Sequence, residues 1–378
     1  MAALADVLQR VYTGSGARRT GHIGLECAQH AMHLVQLAVD PTGEITLHAS
    51  TSLEYPDSRE AILADLPHFR ALIRRALAQA RFSGRTIVTT LPSSDVRIMP
   101  LSYQVAENGA EDAAVIAALT DRIDGDLRDY VIDYLPVRSE RGMEERLAIV
   151  AVAQRERVIH YLELLRKSGL QTRHLEIGPS AIRRLVSAMG EQGVHRNVLA
   201  INFGRESSFL TVISGARLLF DQEISFGENQ VLELIADALE LPLDAVRQLV
   251  AVNSLDPWVK DRRRLREGMD REASITLQEI VKPAFLKLAD EINRTLIYAA
   301  SQTRGEPVSR VYLLGSLARW QGADAMLNML IKLDVETIPD PLQAFHRTPG
   351  NRPTLAVTPS PEIAIATGLA MNGLIGNA

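Results

Sequence analysis

Two polar side chains stand at matching places in the two halves of the chain. Glu26 closes the apolar run IGLE and Asn202 closes VLAIN, separated by about half of the 378-residue length. A short polar turn follows each, and the second holds Gly204, Ser207 and Ser208. A carboxylate at a strand end can hold Mg²⁺ through its waters. Short turns of small residues expose backbone N–H groups, and two of them closing on each other can grip a chain of phosphates. A third turn, Gly315-Ser316, follows a third apolar strand, and a glycine there lets backbone approach a flat base.

Other chemistries lack their residues. The sequence has no G-x-x-x-x-G-K-[ST], HExxH, CxxC or GxSxG, and Gly14-Ser15-Gly16 lacks the third glycine and the preceding strand of a dinucleotide turn. The nine histidines are scattered; His30 and His33 read as opposite faces of one strand, too far from a third ligand for a metal pair. The single cysteine, Cys27, cannot form an internal disulfide and reads as a buried small residue in a reducing compartment. A formal charge of −5 argues against nucleic acid as a partner. The basic run Arg262–Arg266 is flanked by acids and reads as a solvated loop.

The elements that must position these turns follow from periodicity. Leu4, Val7, Leu8 and Val11 make a short amphipathic helix at the N-terminus, which is not a signal peptide and is followed by a polar linker. A strand meander comes next, with Asp40-Pro41-Thr42-Gly43 as one of its turns. Ile62, Leu66, Phe69, Leu72, Ile73 and Leu77 make a helix interrupted near Pro67. Residues 92–177 read as a compact α/β insert. A second meander begins at Val198 and echoes the first, so the chain is expected to form two related lobes facing each other across a cleft. A long helix over Ser274–Gln302 is expected to kink or divide at Pro283. The apolar stretch from Ile363 is too short to span a bilayer and reads as a buried helix.

This order resembles the actin-like ATPase superfamily, and within it the FtsA/PilM branch, from His22 to Leu374. HIGLECAQHAMHLVQL and VLAINFGRESSFLTVISG stand at the family's two phosphate motifs, and VYLLGSLARWQGADAML at its adenosine motif. ISFGENQVLELIADALEL and EINRTLIYAASQ resemble two of its helices, while LPSSDVRIMPL, YVIDYLPV and LEIGPSAIRRL follow the branch's inserted subdomain. The resemblance implies a two-lobed α/β fold: 1–20 an N-terminal helix and linker, 21–91 the first lobe, 92–177 the FtsA-type insert, 178–197 a return helix, and 198–378 the second lobe. It implies nucleotide contacts at Gln29, Gly204, Ser207, Ser208, Gly227, Gly315 and Ser316, and a metal position at Glu26 and Asn202. Glu26 and Asn202 both stand where the family has Asp, Gln29 where it has Ser or Thr, and Leu317-Ala318-Arg319 where it has small residues. These departures imply weak ATP/Mg²⁺ binding and weak or lost hydrolysis rather than an efficient enzyme.

By the same resemblance the chain is a cytoplasmic scaffold on the inner face of the cytoplasmic membrane, in a type IV pilus or related secretion platform. Its partners are the cytoplasmic tail of a PilN-like single-pass protein and other platform proteins, with self-assembly left open. Two alternatives stay within the superfamily: an ATP-dependent phosphotransferase such as a sugar kinase, and an FtsA-like membrane-tethered filament former.

Overall fold

Apolar alternation gives strands where both faces can be covered. In the computed structural model, which describes residues 19–105, 109–138, 145–189, 197–258, 269–303, 305–345, 354–355 and 360–375, the strands run as follows. β1 (Arg19–Cys27), β2 (Ala31–Val39), β3 (Ile45–Glu54) and β4 (Thr86–Thr90) precede β5 (Arg97–Tyr103), β6 (Tyr130–Arg138), β7 (Arg146–Gln154) and β8 (Gln171–Glu176). β9 (Asn197–Phe203), β10 (Ser208–Ser214), β11 (Arg217–Ile224), β12 (Val308–Gly315), β13 (Asp334–Thr337) and β14 (Thr354–Leu355) complete them. The helices are α1 (Arg59–Ala64), α2 (Leu66–Gln79), α3 (Glu111–Leu119), α4 (Arg155–Lys167) and α5 (Gly178–Met189), then α6 (Glu228–Leu239), α7 (Leu243–Val252), α8 (Arg271–Gln302), α9 (Ala323–Ile331) and α10 (Ala364–Ile375).

Two sheets repeat one topology. The first runs β14-β3-β2-β1-β4-β8 and the second β11-β10-β9-β12-β13. In each, an antiparallel meander is extended on the far side of its first strand by two parallel strands. Asp40 shapes the β2–β3 turn by accepting from the N–H groups of Thr42 and Glu44. Every residue of β2 from Met32 onward is buried, because helices cover both faces of the sheet. One face packs Ile23, Leu25 and Met32 against Phe69 and Ile73 of α2 and Leu164 and Leu165 of α4.

The other face forms a core shared by both lobes. Val35 and Leu37 of the first sheet, Ile182 and Leu185 of α5, Ala200 and Leu314 of the second sheet, and Ala366 and Ala370 of α10 belong to one cluster. α10 lies so close to β1 that a Cβ on Gly24 would come within 2.2 Å of the Ala366 carbonyl oxygen. Arg184 of α5 donates to both oxygens of Glu176 on β8 and to the carbonyl of Gly368 on α10. The outer face of the second sheet is covered by α6, α7, α8 and α9 through Val231, Val246, Phe285 and Leu327.

The third sheet, β5-β7-β6, is antiparallel, with Pro100 and Pro136 on its two outer strands, where a missing N–H breaks no central ladder. One of its faces packs Leu101 and Val150 on Leu119 of α3; the other sends Leu147 and Ile149 into the second-lobe core. β8 pairs with β4 in the first sheet, α4 packs on a face of that sheet, and α10 packs against β1 and contributes to the shared core. A division read along the chain cannot see segments that return to an earlier sheet.

Two local readings resolve into detail. Near Pro67, α1 ends at Asp65, whose carboxylate caps α2 by accepting the His68 N–H, and Pro67 sits in the first turn, where no N–H is needed. α8 passes through Pro283 without dividing. The segment around Leu4 to Val11 and the run Arg262–Arg266 lie outside the described residues, among which no helix is long and apolar enough to cross a membrane.

Candidate functional site

The ends of β1 and β9 bring the two polar turns to one cavity of about 690 Å³, walled by both lobes and by the start of the insert. Glu26, Gln29, Asn202, Gly204, Ser207, Gly315 and Ser316 all line it. Ser208 and Gly227 do not. Ser208 follows Ser207 on extended backbone and so faces the other way; it is buried and donates its hydroxyl to the Phe226 carbonyl. Gly227 precedes α6, whose first N–H groups are taken by the turn itself: Glu228 donates to the Gly204 carbonyl at 3.1 Å and Asn229 to that of Arg205 at 2.8 Å.

Two hydroxyls of the turns are likewise bonded to protein acceptors. Ser316 donates to the Gly204 carbonyl at 3.0 Å, and Ser207 donates to Glu223. Gln29 Oε1 accepts the Glu206 N–H at 3.4 Å, which joins the first-lobe turn to the second-lobe turn. Arg205 crosses the same gap to Glu54 at the end of β3, at 3.1 Å. Gly315 has φ +79°, and a Cβ there would stand 2.0 Å from the Phe203 carbonyl oxygen, so it is pressed against the end of β9.

The cavity wall is acidic. Glu26, Glu54, Asp221, Glu223 and Glu362 line it, against Arg59, Arg97 and Arg205. Burial pushes the Glu26 carboxyl up to about 8; the Ala366 N–H in the first turn of α10 and Arg59 oppose this, and Glu362 adds to it. Glu26 Oε2 is buried without a hydrogen-bond partner. Asp221, on β11, is likewise pushed up to about 7 by burial, despite a 2.6 Å bond from the Thr211 hydroxyl and with help from nearby Glu223. Burial holds His33 down at about 4, and lowers His30, with Arg205 contributing to both. His30 lies in the β1–β2 turn rather than on the strand, so both histidines reach the cavity. Cys27 is buried beside the Tyr161 hydroxyl, with its thiol pushed up to about 11 by burial, which suits an unreactive core residue.

Asp221, Glu223, Glu362 and Arg59 were not picked out from the sequence. The signal for the first two is the DQE spacing in LLFDQEIS, which places both carboxylates on one strand face beside the second turn. Arg59 and Glu362 carry no comparable pattern.

Among the described residues no three His, Cys, Asp or Glu side chains converge as metal ligands. Asn202 carries no charge, and the Ser207 and Ser316 hydroxyls are bonded to protein acceptors.

Solved structures share the fold. A chain of the PilM–PilN type IV pilus biogenesis complex matches with TM-score 0.71 and 22% identity, over 94% of this chain and 98% of that one. The ethanolamine utilization protein EutJ from Carboxydothermus hydrogenoformans matches with TM-score 0.52 and 13% identity, over 98% and 96%. MreB5 of Spiroplasma citri, solved bound to AMPPNP, matches with TM-score 0.48 and 12% identity, over 88% and 94%. The fold is the two-lobed actin-like one, with an α/β subdomain inserted in the first lobe. No curated protein sequence matches the chain significantly. The family model described as type IV pilus assembly protein PilM matches residues 24–374, from within β1 to within α10. The chain therefore belongs to the PilM family of type IV pilus assembly proteins.

Proposed function

We propose that this protein is a cytoplasmic scaffold of a type IV pilus assembly platform that holds the cytoplasmic tail of a PilN-like inner-membrane protein. The observation that carries this reading is the full-length likeness to the chain of a PilM–PilN complex, together with the family match over residues 24–374. Attachment to the membrane through such a partner needs no membrane helix of its own. A short tail of this kind orders on binding, with main-chain hydrogen bonds and apolar pockets supplying affinity. The nucleotide site is degenerate in this reading. What supports that is the commitment of Ser207, Ser208, Ser316 and the α6 N–H groups to protein acceptors.

Calorimetric titration of the full chain tests both parts. The synthetic N-terminal tail of the PilN-like protein from the same organism is expected to bind saturably at one site per chain. Mg²⁺–ATP is expected to bind no more tightly than micromolar, and to leave the tail affinity unchanged. No heat from the tail, or nanomolar ATP binding with steady turnover, would reject the scaffold reading.

A further inference from the structure

The outer face of the first lobe carries a charge unlike that of the chain. Residues 66–94 hold five arginines, Arg70, Arg74, Arg75, Arg81 and Arg85, and no Asp or Glu, in a protein whose formal charge is −5. Three of them are on α2. Its buried stripe, Phe69, Leu72, Ile73 and Ala76, faces the sheet, so Arg70, Arg74 and Arg75 stand outward beside the exposed Ala71 and Ala78. Among the described residues, none of the five arginines pairs with a carboxylate.

The topology brings further cations to the same corner. α2 and α4 cover one face of the first sheet side by side, α2 through Phe69 and Ile73 and α4 through Leu164 and Leu165. Each leads into one of two neighbouring parallel strands. Thr86 at the start of β4 stands opposite Gln171 at the start of β8, and the Gln171 N–H donates to the Arg85 carbonyl at 3.0 Å. Both helices therefore finish at one end of the sheet, which joins Arg81 and Arg85 to Arg166 and Lys167 in the last turn of α4 and to Arg173 on β8. Arg173 and His174 also act on His22 of β1, whose ring is held down chiefly by burial. The interlobe cavity takes the opposite end of the same strands, at Thr90 and Leu91. The carboxylates at the margin are Asp65 before α2, Asp40 and Glu44 in the β2–β3 turn, and Glu156 and Glu163 of α4, the last paired with Lys167 at 2.8 Å.

An exposed helix face ordinarily mixes both signs of charge. Cations on an edge strand keep it from pairing with another chain. That accounts for Arg173 on the edge strand β8, but not for α2, which packs over β1 and β2 inside the sheet. We propose that this face, α2 with the 81–85 loop and the end of α4, rests directly on an anionic lipid surface. The guanidinium heads reach lipid phosphates while their stems lie along the low surface of Ala71 and Ala78. Ile159, 52% exposed and two turns from Arg166 on the same side of α4, adds apolar contact beneath the headgroups. The remainder of the chain is acidic and is repelled by such a surface, so the patch sets orientation as well as affinity. Nucleic acid fits less well: Phe69 and Tyr161 are buried and Phe82 packs into the core, leaving no ring on this face to stack on a base, and Ile159 has no counterpart on a phosphate backbone. The inference does not rest on the partner-tail reading, because lipid alone is the ligand.

The test is flotation of the full chain with vesicles of phosphatidylcholine alone and of phosphatidylcholine mixed with phosphatidylglycerol. The chain is expected to float with the mixed vesicles only, and to be released at about 1 M salt, where charges more than about 3 Å apart are screened. Arg70→Gln, Arg74→Gln and Arg75→Gln together should weaken binding about a hundredfold, at about fivefold for each arginine near the surface. Glutamine keeps these exposed positions helical, so the fold is retained. Removing the same charge from the second lobe, by Arg217→Gln, Arg247→Gln and Arg294→Gln, should leave binding nearly unchanged. In the wild-type chain, mixed vesicles should slow amide exchange in the loop at 81–85. No binding to the mixed vesicles, equal binding to phosphatidylcholine alone, equal loss in the two triple variants, or protection confined to the second lobe would each overturn the proposal. So would tighter binding to duplex DNA than to the mixed vesicles at the same ionic strength, which would assign the face to nucleic acid. Each of these outcomes leaves calorimetric tail binding untouched, so failure here is distinct from failure of the scaffold reading.

Discussion

Glu26 is an acid that its surroundings keep neutral, and this makes its contribution to stability pH-dependent in a definite direction. Its carboxyl titrates near 8 in the folded chain, against 4.5 as its ordinary value. Between those values the native state holds a proton that the unfolded chain has lost, so stability falls as pH rises. Asp221, raised to about 7, acts in the same direction. His33, lowered to about 4 from 6.5, acts oppositely: the stability tied to its neutral ring is present above 6.5 and is lost as pH falls through 4. Below pH 6.5 the rising His33 slope offsets only one of the two falling carboxyl slopes, and from there to 8 the decline is unopposed. Over that window Glu26 accounts for about 2 kcal/mol, at about 1.4 kcal/mol per pH unit. Urea unfolding at pH 6.5 and 8.0 should show this fall, and Glu26→Gln should remove most of it; a flat wild-type profile would contradict the burial argument. Glu26 could be found in the sequence because it ends an apolar run beside a turn. Asp221 was harder to rank: the DQE spacing puts it on one strand face with Glu223, but nothing local in LLFDQEIS says that this face is buried.

At the scale of elements, the first lobe depends on one mostly buried ion pair. Arg184 and Glu176, each with 14% of the side chain exposed, join α5 to β8, and Arg184 also holds the Gly368 carbonyl of α10. Removing the cation leaves a carboxylate in a poorly hydrated place. Arg184→Met should therefore lower stability by about 3–5 kcal/mol, and adding Glu176→Gln should restore part of it. Denaturant midpoints with unchanged slopes would report this; a loss under about 1 kcal/mol would mean that water reaches Glu176 easily. Periodicity located most of these elements, including α2 from its apolar stripe and α8 over most of its length. Pairing was less legible. Nothing local in Gln171–Glu176 says that it joins β4, since the choice is made by α4 packing onto the face of the first sheet. The repeated meander did expose the doubled architecture, because each copy carries its own polar turn at the same step.

At the scale of the molecule, two of the contacts between the lobes differ greatly in strength. The shared core around α5 and α10 is apolar and fully enclosed. The contact between the turns consists of one long hydrogen bond from Glu206 to Gln29 and the Arg205–Glu54 pair, in which Glu54 is 77% exposed. Such a pair contributes no more than about 1 kcal/mol. Glu54→Ala is accordingly expected to leave global stability nearly unchanged. Its effect should appear as faster amide exchange in the turn at 204–207; a large drop in unfolding temperature would show that the turn contact is structural.

The position of α10 has a further consequence for how the protein is made. The sheet containing β1 lacks one of its coverings until a helix encoded some 340 codons later has left the ribosome. During synthesis the early half must wait with Val35, Leu37 and Gly24 exposed to solvent or to chaperones. Contacts so distant in sequence favour slow, late closure. Translation stalled before residue 364 should therefore yield a protease-sensitive first lobe, however complete its own strands are.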